Sequence, residues 1–181
     1  MPAATLRLFI AAYPAPPLAR TLLEALPGLA LPDHRPAPPK QVHLTMLFLG
    51  ERRVRDLPDI EASVRAAAAG IPPFRITLDR LEALPERGPA RLIAAVGAAT
   101  SPLIELHTRL AARLVSPKRR GAAFLPHLTL ARFPGSGTPL SVRAWPLAAS
   151  LELGIDALAV MSSVLAQTGA VHRPAFTVPL A

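Results

Sequence analysis

The 181-residue chain contains no cysteine. That excludes a disulfide scaffold and a thiolate metal site, and it fits a reducing compartment. Aromatic residues are scarce at 4%, so a core has to be built from aliphatic side chains, and at 51% hydrophobic content the chain is too apolar for disorder. Acidic residues number 12 against 20 Lys and Arg, a formal net charge of +8 that favours polyanionic partners. Charge alone serves solubility equally well. However, Arg52, Arg53 and Arg55 form one cluster and Lys118, Arg119 and Arg120 another, each near a motif described below, which tilts the reading toward anion binding. Uncharged runs such as 157–172 are too short to span a bilayer and contain Ser, Gln and Gly. The apolar run after Arg7 is broken by Pro14, Pro16 and Pro17; it reads as a strand entering a helix rather than a leader, and a cytoplasmic location is expected. No Walker or dinucleotide-type glycine loop, no Gly-x-Ser-x-Gly elbow and no His-Glu-x-x-His spacing occurs, and no acidic cluster suits Mg²⁺. ATP-dependent ligation is disfavoured, and neither a metal nor a cofactor is expected.

What the chain has in excess is proline, 22 residues, which implies rigid loops and sharply ended elements. Residues 6–13 read as a buried strand, 17–26 as a helix striped by Leu18, Leu22, Leu23 and Leu26, and 31–40 as a proline-rich loop. A strand at 41–49 follows, ending at Gly50, then a helix at 57–69 with Asp56 as N-cap. Strands at 74–81 and 91–98 precede a helix opened by Ser101 as N-cap and Pro102, with Leu103, Leu106, Leu110 and Leu114 as its stripe. A strand at 126–133 and two more near 155–165 and 175–180 complete the chain.

Two segments recur. Arg7-Leu8-Phe9-Ile10-Ala11-Ala12 matches Arg91-Leu92-Ile93-Ala94-Ala95-Val96, and His43-Leu44-Thr45-Met46 matches His127-Leu128-Thr129-Leu130; read letter by letter, both pairs lie 84 residues apart. The expectation is an α+β fold of two similar halves, each with an antiparallel sheet and packed helices, related by a pseudo-twofold axis with a cleft between them. Residues 1–181 are expected to form one domain, with the motif strands near 41–49 and 126–133.

Strand side chains alternate between faces. Val42, Leu44, Met46 and Phe48 are therefore expected on one face, with His43 and Thr45 on the other; His127 and Thr129 likewise oppose Leu128 and Leu130. Each half then offers one imidazole and one hydroxyl to a shared cleft. An imidazole titrates near neutrality, so one can take a proton from a nucleophile while the other gives one to a leaving oxygen. Threonine donates to a phosphate oxygen without adding charge. The residues alone give the pair, not which member does which.

The extended motifs, Val42-His43-Leu44-Thr45-Met46-Leu47-Phe48-Leu49-Gly50-Glu51 and Phe124-Leu125-Pro126-His127-Leu128-Thr129-Leu130-Ala131-Arg132, resemble those of the two-histidine (2H) phosphoesterases, specifically the bacterial and archaeal RNA 2′,3′-cyclic phosphodiesterases, also called 2′-5′ RNA ligases. Arg7 to Ala11 resembles the family's opening strand, and Ser162 to Leu180 its ending. The resemblance implies hydrolysis of a 2′,3′-cyclic phosphate to a 2′-phosphate, with reversible 2′-5′ ligation. In that scheme His43 is the proton donor, His127 the base, and Thr45 and Thr129 hold phosphate oxygens. Arg132 stands beyond His127 as added charge stabilisation or as a salt-bridged or solvated residue. RNA ends, tRNA fragments among them, are the implied partners of a monomer. The alternatives are a small cyclic nucleotide or 2′-5′ oligonucleotide as substrate, or an RNA-binding module without activity. His172 departs from the family's usual Tyr, and His34 and His107 are expected to be solvated.

Overall fold

The computed structural model describes residues 4–116, 124–166 and 169–181. Lys118, Arg119 and Arg120, expected to contact RNA, lie outside them. In chain order the elements are β1 (Thr5–Ala12), α1 (Pro16–Glu24), β2 (Arg35–Pro36), β3 (Leu44–Arg53), α2 (Leu57–Ala68), β4 (Phe74–Leu84), β5 (Leu92–Gly97), α3 (Ser101–Leu114), β6 (His127–Arg132), β7 (Ala144–Ile155), β8 (Ala157–Ala166) and β9 (Gly169–Pro179). The described strands form one open antiparallel sheet in the order β7-β4-β5-β6-β3-β1-β8-β9, with β2 added beside β6.

Its centre is a single bridge, Leu44 opposite Leu128. These are equivalent residues of the two His-x-Thr motifs, and an antiparallel pair of equivalent residues is related by a local twofold axis. The axis carries β3 onto β6, β1 onto β5, β8 onto β4 and β9 onto β7, so the expected half-sheets meet edge to edge. The bulk of the core lies on one face. Leu22 of α1, Ile60 and Val64 of α2, and Leu103, Leu106 and Leu110 of α3 pack there against Leu8, Ile10, Leu44, Met46, Ile76, Ile93, Leu128 and Leu130. The opposite face carries two small clusters, Phe9, Ala11 and Met161 in one half and Leu84, Ala94 and Val96 in the other.

Strand register corrects the repeat. Phe9 pairs with Phe48, Ile10 with Leu47 and Ala11 with Thr45; Leu92 pairs with Arg132, Ile93 with Ala131 and Ala94 with Thr129. Phe9-Ile10-Ala11-Ala12 is thus equivalent to Leu92-Ile93-Ala94-Ala95, an offset of 83 instead of 84. A one-residue slip puts every side chain on the wrong face, so pairing and burial outrank the Arg7–Arg91 letter match. Each motif strand also bulges at an equivalent residue, Met46 in β3 and Leu130 in β6, which are skipped in the ladders to β1 and β5. A further skip at Leu49 sits beside Gly50, whose φ of 73° lets β3 continue to Arg53. These bulges break strict alternation: Phe48 is 66% exposed and Leu49 is buried, so Phe48 does not share the face of Leu44 and Met46.

Other boundaries shift for local reasons. β3 begins one residue after His43, because 39–41 form a 3₁₀ turn. Thr100, not Ser101, is the N-cap of α3, and the Asp56 side chain pairs with Arg53 and Arg55 instead of capping α2. Arg52 donates to the Leu114 carbonyl at the end of α3, so this arginine cluster serves structure at the far end of β3 from His43. β7 and β2 have no counterpart in the sequence reading. β7 is an alanine-rich edge strand, and both tolerate a proline where no ladder N–H is needed.

Gly97, at the end of β5, has no room for a side chain: a Cβ there would overlap the backbone carbonyl oxygen of Thr77 and press on Leu78 Cδ2. Gly97→Ala is therefore expected to cost about 1–3 kcal/mol, since backbone must move to admit it. Denaturant unfolding of the variant measures this.

Candidate active site

The single bridge also assembles the polar quartet. In an antiparallel pair centred on Leu44 and Leu128, His43 falls opposite Thr129 and Thr45 opposite His127, all on the face away from the helices. Cross-strand neighbours of this kind stand about 5 Å apart. All four side chains are half-buried, between core and solvent.

The two imidazoles are held the same way. His43 Nδ1 is 2.6 Å from the Gln41 carbonyl oxygen, and His127 Nδ1 is 2.9 Å from the Leu125 carbonyl oxygen, two residues upstream in both copies. A carbonyl can only accept, so each Nδ1 carries hydrogen and donates. Nε2 is then the nitrogen on each ring that gains or loses a proton.

Their surroundings differ. His43 is walled by Phe9 at 5.1 Å, Tyr13 at 5.4 Å and His172 at 5.3 Å between ring centroids. The positions equivalent to Phe9 and Tyr13 in the other half are Leu92 and Val96, so the aromatic wall belongs to one half only. Burial lowers the His43 pKa to about 4; the Gln41 carbonyl opposes this, while the positive fields of His172, Arg132 and His127 add to it. Burial, and then Arg132, also lowers the pKa of His172. Tyr13 is pushed up to about 12 by burial and stays a neutral phenol. Tyr13 Oη and His172 Nδ1 are buried without a protein partner among the described residues, two polar groups beside His43 with hydrogen-bonding capacity unused.

His172 reaches this spot from β9, three strands from β3. A flat sheet would set these strands roughly 14 Å apart. The 5.3 Å ring separation means that the β8–β9 hairpin, which pairs with β1 only as far as Ser162, bends over the open face. On the other side β2 forms a second wall. A cleft of about 430 Å³ between them is lined by Arg35, Pro36, Ala37, Pro38, Gln41, His43, Thr129, Arg132, Val171 and His172. His43, Thr129 and Arg132 thus share one cleft; Thr45 and His127 adjoin it through the strand pairing without lining it. Arg132 is exposed, and among the described residues it makes no ion pair. Position 132 is the repeat partner of Phe48, so the two halves carry a cation and an aromatic ring at the same place.

His107 is not solvated. Its Nδ1 donates to the carbonyl of Met46, the bulged residue of β3, at 2.8 Å, and its ring stacks on Phe124 at 4.1 Å and 9°. Phe124 precedes Leu125, whose carbonyl holds His127. One side chain of α3 therefore ties both motif strands together from the core side. On β6 the equivalent carbonyl, that of Leu130, accepts instead from the Ala37 amide at 2.7 Å. Helical periodicity could not reveal His107, because its partners are a bulge carbonyl and a loop ring distant in sequence. His34 donates to the Pro32 carbonyl in the exposed proline-rich segment and lies away from the quartet's hydrogen bonds.

A duplicated antiparallel sheet with one His-x-Thr strand in each half is the architecture of the two-histidine phosphoesterases. The sequence pattern of the 2′-5′ RNA ligase superfamily matches residues 14–165, and the chain belongs to that superfamily. The RNA 2′,3′-cyclic phosphodiesterase of Thermus thermophilus is 32% identical over 146 residues, covering 76% of this chain and 71% of that protein. The crystal structure of TT0787, also from Thermus thermophilus, superposes with a TM-score of 0.82 at 29% identity, over 97% of this chain and 98% of that one. E. coli LigT, crystallised with 3′-AMP, shares the fold with a TM-score of 0.81 at 21% identity, over 98% and 99% of the two chains. Among the described residues, no helix is long and apolar enough to cross a membrane.

Two outcomes are expected. In an NMR titration His43 should protonate near pH 4, so that it is neutral above that pH, and Arg132→Gln should move the midpoint upward by removing one positive field. His107→Ala should lower stability by about 1–2 kcal/mol and reduce turnover, with His107→Asn recovering part of both by restoring a donor to Met46.

Proposed function

We propose that this protein is a metal-independent phosphodiesterase that opens 2′,3′-cyclic phosphates at RNA ends to 2′-phosphates, with His43 and His127 as the acid–base pair. The observation that carries the proposal is the twin arrangement of the imidazoles: each Nδ1 is committed to a carbonyl, and each Nε2 is the exchangeable nitrogen on the shared face. The name of the Thermus thermophilus relative supports the substrate class, and the 3′-AMP bound to LigT is the kind of ligand such a cleft accommodates.

In this scheme His127 Nε2 takes a proton from water as the water oxygen bonds to phosphorus. The bond from phosphorus to the 3′ oxygen breaks, and that oxygen takes the proton of His43 Nε2. Thr45, Thr129 and Arg132 hold the non-bridging oxygens as charge builds on them. The assignment of acid and base comes from the family pattern, and it requires His43 to be protonated when it acts. In the protein alone His43 is neutral at pH 7. An arriving phosphate anion offsets the field of Arg132 and itself favours a protonated imidazole, raising the His43 pKa as substrate binds. Attack of the 5′-hydroxyl of a second strand in place of water, with the same loss of the 3′ oxygen, is 2′-5′ ligation. Both halves of the site come from one chain, which supports reading residues 1–181 as one domain; a monomer acting on cytoplasmic RNA is proposed with it.

The test is mass analysis of the product from an oligonucleotide ending in a 2′,3′-cyclic phosphate, with EDTA present. A 2′-phosphate end is expected, because imidazoles move the protons and Thr and Arg meet the charge. His43→Ala and His127→Ala should each lower kcat by roughly two to four orders of magnitude, with the double variant scarcely worse than the poorer single one. A folded His127→Ala protein with near-normal turnover would refute the mechanism, and activity restored only by a divalent ion would refute its metal independence.

A further inference from the structure

Arg35 and Arg132 are register partners in the β2–β6 ladder, and both line the cleft beside His43 and Thr129. Like charges directly opposite in an antiparallel pair repel, and both side chains are exposed on the same face, so nothing about core packing calls for the pairing. The segment that brings Arg35 there is stiff. Pro36, Pro38 and Pro39 restrict its backbone, and the Ala37 amide is bonded to the Leu130 carbonyl at the bulge of the same motif strand. Arg35 is thus built into a fixed place next to Arg132. A cyclic phosphate carries one negative charge, and one guanidinium suffices to face it. Two held side by side, in a cleft of about 430 Å³, match two phosphates.

We propose that Arg35 forms a second phosphate subsite, which holds the 5′-phosphate of the nucleotide bearing the cyclic end while Arg132 faces the reacting phosphate. This rests on the proposed phosphodiesterase reading and narrows its substrate: the protein selects a cyclic end that continues into an RNA strand, over a lone nucleoside 2′,3′-cyclic phosphate. In RNA the 5′ oxygen of the terminal nucleoside always carries such a phosphate, and a lone cyclic nucleoside has none.

The experiment compares adenosine 2′,3′-cyclic phosphate with the same compound bearing a 5′-phosphate. In the wild type the 5′-phosphate should lower KM by roughly three- to tenfold, as expected for one partly exposed charge-assisted contact, and added salt should shrink the advantage. In Arg35→Gln the two KM values should converge, and Arg35→Lys should keep part of the difference. Arg20→Gln, which removes the same charge from the exposed side of α1, should leave the KM ratio as in the wild type. Equal KM values in the wild type, or a ratio undiminished in a folded Arg35→Gln protein, would overturn the subsite. If the wild type hydrolyses neither compound nor a cyclic-ended oligonucleotide, the underlying activity fails instead, and the two failures are distinct.

Discussion

Everything on the open face depends on one backbone bridge, Leu44 to Leu128. Because the two leucines are equivalent in the repeat, a single point of antiparallel contact creates a twofold relation between the halves and sets His43 against Thr129 and Thr45 against His127. Both leucines are fully buried on the helical side, so the hydrophobic core that favours the bridge is the reason the polar neighbours face the other way. Longer pairing between β3 and β6 would close the central gap. The two strands part at their bulges instead, and the freed edges are used differently, by β2 and the Ala37 amide on β6, and by the His107 ring on β3.

That difference is where a duplicated frame becomes an asymmetric site. The first half supplies Phe9, Tyr13 and Phe48, where the second has Leu92, Val96 and Arg132. The first half also lends its terminal hairpin, which brings His172 over His43, while the second faces β2 and Arg35. His43 is consequently flanked by rings on one side and by the cleft with Arg35 and Arg132 on the other, while His127 does not line that cleft. Equivalent motifs with equivalent Nδ1 contacts thus acquire different surroundings from residues beyond the two His-x-Thr segments.

The sequence made the motif strands, the three helices, the two-half plan and the face carrying His43, Thr45, His127 and Thr129 legible, because buried Leu44 and Leu128 alternate cleanly with them. Alternation failed at Phe48, since the Met46 and Leu49 bulges are backbone events with no residue signature beyond Gly50. The repeat offset in the first strand was obscured by Arg7 and Arg91, whose letters match while their positions in the sheet do not. β7 was hidden by its alanines and Pro146, which weaken strand propensity and are tolerated at an edge. Arg35 and His172 reach the cleft, and Phe9 and Tyr13 the His43 ring, only through tertiary packing. No spacing in the chain announces a hairpin that bends over a face or a proline-rich segment that adds a strand.

The depressed pKa of His43 conflicts with its proposed acid role only for the protein without substrate. Burial first, with the positive charge of Arg132 adding to it, keeps the ring neutral there. When a phosphate enters, Arg132 acquires a counter-charge, and the anion itself favours a protonated imidazole. Burial remains, and it becomes an asset, because a proton held in a low-dielectric cleft beside Arg132 is readily given to a leaving oxygen. Under the proposed mechanism, a site arranged in this way would take up its proton together with its substrate. The proposed acid would then carry its proton only when there is a bond to break, and burial among the rings around His43, which the proposed chemistry does not touch, would make that coupling possible.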